Sequence, residues 1–347
     1  MPPSHLEREI REQPHVLRRL LEAERDTVAQ VARAIREAAP RYVVLAARGS
    51  SDNAARYGQY LFGATNGLAV ALATPSLFTR YEKPPRLNGA LILAVSQSGQ
   101  SPDICAVVAE GRRQGALTIA LTNDPDSPLA QTATHVVQLH AGVERSIAAT
   151  KTYTTSLMAL AMLSTALAAD EERFQVLQTM PDRVARVVDG LPDIVAAAER
   201  YRYMNACVVI SRGYNYATAF EIALKLKELT YILAEPYSSA DFRHGPLALV
   251  EQGFPVLAVT PEGEMAEELT ELLAQLEGRG AELVVVSALE QALALAQTPL
   301  PLPPDIPEWI SPLVTVVPGQ IFALGLTLAR GLDPDHPRGL RKVTLTE

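Results

Sequence analysis

VVLAARGSSDNAA (residues 43–55) and VVISRGYNYATA (residues 208–219) follow the same plan. Each opens on a β-branched apolar run, turns at an Arg-Gly pair and continues into an alanine-containing segment of helical character. A continuous apolar strand that leads into a helix is the pattern of a parallel sheet covered on both faces. The two Arg-Gly pairs end at Gly49 and Gly213 and are therefore 213 − 49 = 164 residues apart. That spacing is too long for a solenoid repeat and suits a duplicated domain.

Working outward, further short apolar runs at 42–46, 91–95, 117–121 and 136–139 predict strands in the first half, and those at 207–210, 256–259, 283–286 and 314–317 in the second. Longer Ala/Leu-rich segments separate them. The expected fold class is α/β: two tandem α/β/α sandwiches with parallel sheets. Residues 156–203 read as helical, with Pro181 and Pro192 as breaks, and PLPLPP (299–304) as a stiff loop. The expected division is a helical segment at 1–27, a first domain at 28–172, a helical linker at 173–196, a second domain at 197–337 and a tail at 338–347.

With 347 residues, 48% of them hydrophobic, the chain can fill two cores of about 150 residues each. A formal charge of −8 disfavours nucleic-acid and anionic-membrane surfaces, which need basic patches. Cys105 and Cys207 lie in apolar runs far apart and fit no metal-ligand spacing, so buried reduced thiols are expected. The charged, amphipathic start MPPSHLEREIREQPHVL is no secretory signal. No apolar stretch of roughly 18 residues runs without polar or turn residues. A cytoplasmic protein with no metal and no cofactor is the expectation.

The richest loop is SQSGQSPD (residues 96–103), directly after LILAV. Ser101 suits an N-cap, Pro102 the first helical position and Asp103 the first turn. Hydroxyls, an amide and a flexible Gly99 ahead of a helix N-terminus form a nest for a phosphate without a cationic side chain; an ordinary polar loop is the alternative. The loop matches neither GxxxxGK[ST] nor GxGxxG, so a phosphorylated small metabolite fits better than a nucleotide.

Glu221, Lys225 and Glu228, in EIALKLKELTYILAEPYSSADFRH (221–244), fall at i, i+4 and i+7 and so share one helix face. They read either as a surface ion pair, with about 0.3–0.5 kcal/mol of helix stabilisation, or as a proton-transfer cluster. Lysine usage bears on the choice. Of 31 basic residues only Lys83, Lys151, Lys225, Lys227 and Lys342 are lysines, leaving 26 arginines. A lysine kept against that background suits a compact amine with a chemical role, which singles out Lys225 and Lys342. His244, in FRHGP, is by itself either a structural loop histidine or a functional one. Lys342, on a polar tail, is by itself a solvated charge.

SQSGQSPD, ERSIAATKTYTT (144–155), the 221–244 segment continuing into GPLAL, and PRGLRKVTLTE (337–347) together resemble the sugar isomerase (SIS) family. Within it, the chain looks like the isomerase half of glucosamine-6-phosphate synthase and the ammonia-dependent glucosamine-6-phosphate deaminases. The resemblance implies that Ser96, Gln97, Ser98 and Ser101 hold the sugar phosphate, and that Ser51 and the backbone at Ile147 and Ala148 contact the sugar. It implies Glu228 as the base moving a proton between C1 and C2, supported by Lys225 and Glu221. His244 would open and close the ring, reaching the site from the neighbouring subunit of a homodimer. Lys342 would form a Schiff base with the ketose.

The family's synthases begin with a glutaminase domain whose residue after Met is a nucleophilic cysteine; this chain has Pro2, so free ammonia is the expected nitrogen source unless a partner supplies the glutaminase activity. Ala149 stands where the family commonly has serine, which bears on specificity. The implied function is interconversion of glucosamine 6-phosphate with fructose 6-phosphate and ammonia. Two alternatives stay open: a deglycase of phosphorylated fructosamine-type sugars, and a non-catalytic sugar-phosphate sensor. The sensor would ordinarily carry a DNA-binding domain or act through a partner, and the two helices expected before Tyr42 are too little for such a domain.

Overall fold

The computed structural model describes residues 3–342. Pro2 and the tail residues 343–347 lie outside the described residues. The described residues divide into two compact units, one made of residues 13–144, 151–181 and 341–342 and the other of residues 3–12, 145–150 and 182–340.

The first of these holds a parallel sheet of β1 (Tyr42–Ala46), β2 (Ala69–Leu72), β3 (Ala90–Ser96), β4 (Leu117–Thr122) and β5 (His135–Gln138) in the order β2-β1-β3-β4-β5. The other holds β6 (Ala206–Ser211), β7 (Leu233–Ser238), β8 (Pro255–Thr260), β9 (Glu282–Ser287) and β10 (Thr298–Pro301), also parallel, in the order β7-β6-β8-β9-β10. The orders are identical once the second is renumbered, as a duplication requires. In both, the order reverses beside the first strand, between β1 and β3 and between β6 and β8. Ligands of open α/β sheets bind outside the carboxyl ends of the strands at such a reversal.

Burial explains which strands were readable. All seven residues of β3 and all six of β8 are buried, so both are continuous apolar runs. β2 and β10 alternate between more and less buried positions at sheet edges, β7 at another edge has a single buried residue, and the apolar runs predict none of the three. β10 overlaps the start of the expected stiff loop. Its Pro299 and Pro301 are tolerated because an edge strand pairs on one side only, here with β9.

Residues 314–317 are not a strand. They lie in the helix Pro312–Ala329, which is buried all around and therefore shows no helical period. This helix packs against the helices Leu191–Ala198 and Tyr216–Thr230. It is long and apolar enough to cross a bilayer by length and composition, with mean hydropathy 1.7, yet 89% of it is buried inside the protein. Pro181 does not break the helical segment either. It sits inside the helix Glu171–Asp189, and the chain instead breaks at Ala169 (φ 53°), between that helix and Lys151–Ala168. Pro192 does mark a boundary, in the first turn of Leu191–Ala198.

Both cysteines are free thiols. Burial pushes Cys207 up to about 12, and burial with the Asp103 charge also raises Cys105, which is half-covered.

Candidate functional site

In the first sheet the loops after β1 and β3 flank the strand-order reversal. Ser51 lies in the first turn of the helix Ser50–Asn66 that follows β1. Ser96 ends β3, and its buried hydroxyl accepts a hydrogen bond from Gly99 N at 3.1 Å. Ser98 Oγ accepts from Gln100 N at 3.3 Å, and the loop is further held by Asn123 N and Leu129 N, which donate to the Gln97 and Gly99 carbonyls. Gly99 is required here: its φ is +61°, and a Cβ would stand 2.1 Å from Ser127 Oγ.

Ser101 occupies the N-cap of the helix Pro102–Arg113, but its hydroxyl makes no capping bond. Asp103 Oδ1 instead accepts from Ile104 N at 2.9 Å, so the expected capping role passes to the aspartate and the Ser101 hydroxyl is left for another partner. The loop also has a cation behind it. Arg48 donates to Asp103 Oδ2 through Nε and Nη2, both at 2.8 Å, and the buried Asp103 neutralises much of that charge.

The equivalent loop of the second sheet, residues 261–265 between β8 and the helix Ala266–Glu277, is closed by the protein's own anion. Glu308 Oε2 accepts from Glu264 N at 2.7 Å, and a Cβ on Gly263 would sit 2.3 Å from the same oxygen. The carboxyl is raised from its ordinary value by burial, against the lowering effect of the Glu264 and Met265 amides. A carboxylate thus occupies in one repeat the loop whose counterpart in the other repeat is rich in serine.

Glu144 is a site residue that sequence reasoning did not single out. Its side chain is fully buried, and its Oε2 accepts from Gln97 Nε2 at 3.0 Å, Thr152 Oγ1 at 2.7 Å and Lys342 Nζ at 2.8 Å, while Oε1 accepts from Thr152 N at 3.1 Å. The carboxylate therefore sits at the N-terminus of the helix Lys151–Ala168, where the helix dipole favours negative charge. One acid joins the serine-rich loop to the tail lysine. Nothing in the run ERSIAATK marks the glutamate as the hub; the signal lies in contacts 47 and 198 residues away in sequence.

In the other unit the helix Tyr216–Thr230 carries the acid and amine cluster. Lys225 Nζ lies 2.6 Å from Glu228 Oε2 and 3.4 Å from Glu221 Oε1, with Lys225 and Glu221 buried and the Glu228 side chain 23% exposed. A surface ion pair would leave the amine in water; this one takes it into the core with an acid on either side. Glu228 is the member that reaches solvent.

His244 stands at the C-cap of the short helix Ser239–Arg243, exposed, and its imidazole makes no hydrogen bond or ion pair among the described residues. The structure does not bring it to the triplet by any such bond. Ala148 is buried and Ile147 partly so. Their loop is held by Glu9, a buried residue on the helix His5–Ala23, whose carboxylate accepts from the backbone amides of Arg145 and Ser146. Arg338 of the tail stacks on the Tyr231 ring at 4.5 Å, just past the end of the cluster helix.

The SIS domain family model matches residues 38–166 and 204–328. Glutamine–fructose-6-phosphate aminotransferase [isomerizing] of Thermococcus kodakarensis is 34% identical over 355 residues, an alignment covering 99% of this chain and 58% of that protein. The chain thus spans less than three fifths of that relative's length. A solved candidate phosphosugar isomerase from Silicibacter pomeroyi is 36% identical with a TM-score of 0.86, covering 96% of this chain and all of that one. The C-terminal domain of glucosamine-fructose-6-phosphate aminotransferase from Francisella tularensis is 26% identical with a TM-score of 0.88, covering 96% of this chain and 98% of that one.

Proposed function

Since this chain belongs to the SIS domain family, we propose that it is a sugar-phosphate isomerase that interconverts glucosamine 6-phosphate with fructose 6-phosphate and ammonia. The observation that carries the reading is the buried Glu221–Lys225–Glu228 cluster with one acid reaching solvent. Moving a carbonyl equivalent between C1 and C2 requires one base to take a proton from one carbon and return it to its neighbour. Glu228 is that base. Lys225, held at its other side by Glu221, fixes the carboxylate and opposes the negative charge that develops on the enediol or enolamine.

The phosphate is received by Ser96, Gln97, Ser98 and Ser101, with Ser51 and the backbone at Ile147 and Ala148 toward the sugar. In the deaminating direction, proton transfer from C2 to C1 leaves an imine at C2. Water adds to it, and ammonia departs to give the ketose. In the reverse direction the Lys342 amine condenses with the C2 ketone with loss of water, and ammonia displaces it. His244 assists ring opening from the partner subunit of a homodimer, in keeping with its exposed and unbonded imidazole. A cytoplasmic setting belongs to the same proposal.

The test is ammonia release from glucosamine 6-phosphate by the purified protein, coupled to detection of fructose 6-phosphate. Equimolar formation of both supports the reading. Turnover of phosphorylated fructosamine-type sugars alone would transfer it to the deglycase, and tight sugar-phosphate binding without turnover of either substrate would transfer it to the sensor.

A further inference from the structure

We propose that Glu144 is a positioning residue for Lys342: its buried carboxylate ties the tail amine to the phosphate-loop side chain of Gln97, so that the lysine is presented next to the group that receives the substrate's phosphate. The inference rests on the reading of Lys342 as the Schiff-base amine. Three donors meet on Glu144 Oε2, from Gln97, Thr152 and Lys342, and a fourth, Thr152 N, on Oε1.

Such a carboxylate is satisfied and rigid, because its own orientation is fixed by the start of the helix Lys151–Ala168 through Thr152. Lys342 has a long stem, and the described residues leading to it, 332–342, form no helix or strand. The Glu144 carboxylate gives this amine a defined position, and misplacing a reacting amine by about 1 Å can lower turnover by about 10²-fold. Gln97 shares the carboxylate, so anything that shifts the loop on phosphate binding is felt at the lysine. Glu144 touches neither sugar nor phosphate in this account and acts only through its partners.

Glu144→Gln keeps the shape and can still accept from Thr152 and Gln97, but removes the charge that holds the ammonium. Two readouts are needed in the full chain. The first is the rate of reductive methylation of Lys342 by formaldehyde and cyanoborohydride, read by peptide mass spectrometry against the exposed Lys83. It needs no sugar turnover, so it stands even where the isomerase reading fails. We expect Lys342 to react at least about threefold faster in Glu144→Gln with Lys83 unchanged, and an unaltered ratio would overturn the tether. The second is a mutant cycle on kcat. Glu144→Gln is expected to lower kcat by about tenfold or more with KM for the sugar phosphate within about threefold, and to have no further effect in a Lys342→Ala background. An equal fold loss in both backgrounds would reduce Glu144 to a structural residue and overturn the positioning role.

Discussion

Lys225 is a buried amine with a carboxylate on each side, and its removal exposes the weakness of that arrangement. In Lys225→Met the fully buried Glu221 would lose the ammonium 3.4 Å away and would have to remain charged without it or bind a proton, either at a cost in stability. Breaking a buried pair from one side costs about 3–5 kcal/mol, so urea denaturation of Lys225→Met should show a loss of that order. Adding Glu221→Gln should recover a good part of it, and a single variant as stable as the parent would refute the buried-pair description. The lysine was legible in the sequence because five lysines among 31 basic residues make each one conspicuous. Its burial was not, because the same i, i+4 spacing serves an exposed pair equally well. Glu144 gave no sign at all, since a glutamate's importance there depends on a glutamine, a threonine and a lysine gathered from three separate segments.

Among elements, the loop after β3 and its counterpart after β8 make the sharpest contrast. Gly99→Ala would force a side chain into a left-handed backbone conformation and into Ser127. We expect it to abolish detectable binding of sugar phosphate by calorimetry while thermal unfolding stays cooperative, and wild-type affinity would show that the loop is not the phosphate site. The second loop predicts the opposite behaviour. Glu308→Ala removes the anion from the amides near Glu264 and should destabilise the protein by about 0.5–1.5 kcal/mol, the net contribution of a hydrogen bond whose donor water can reach. Millimolar inorganic phosphate should restore much of that loss, as judged by Tm against the wild-type response, and a variant indifferent to phosphate would show that the two loops are not alike. The serine-rich loop could be read from its residues. The plugged loop could not, because the plugging acid lies 44 residues beyond the amide it accepts from. Strands followed the same division. Buried β3 and β8 announced themselves as apolar runs, edge strands β2, β7 and β10 did not, and 314–317 was misread because a helix buried on every face imitates a buried strand over four residues.

For the whole molecule, the 164-residue spacing of the two Arg-Gly turns anticipated two sheets of one topology, and the strand orders match. The proposed homodimer makes a quantitative prediction at this scale. If His244 serves the partner's site, a Glu228→Gln chain and a His244→Ala chain are each inactive, but one of two sites in their heterodimer is complete. Random reassociation of an equal mixture should then recover about a quarter of wild-type activity; no recovery in verified heterodimers would place His244 with its own chain's site.

The central claim, that Glu228 carries a proton between C1 and C2, is tested most directly by isotope exchange. Fructose 6-phosphate incubated with the protein in deuterium oxide should acquire deuterium at C1, followed by nuclear magnetic resonance, and Glu228→Gln should slow that exchange by about 10²–10⁴-fold in a folded protein. Exchange that persists at the wild-type rate in Glu228→Gln would contradict the account.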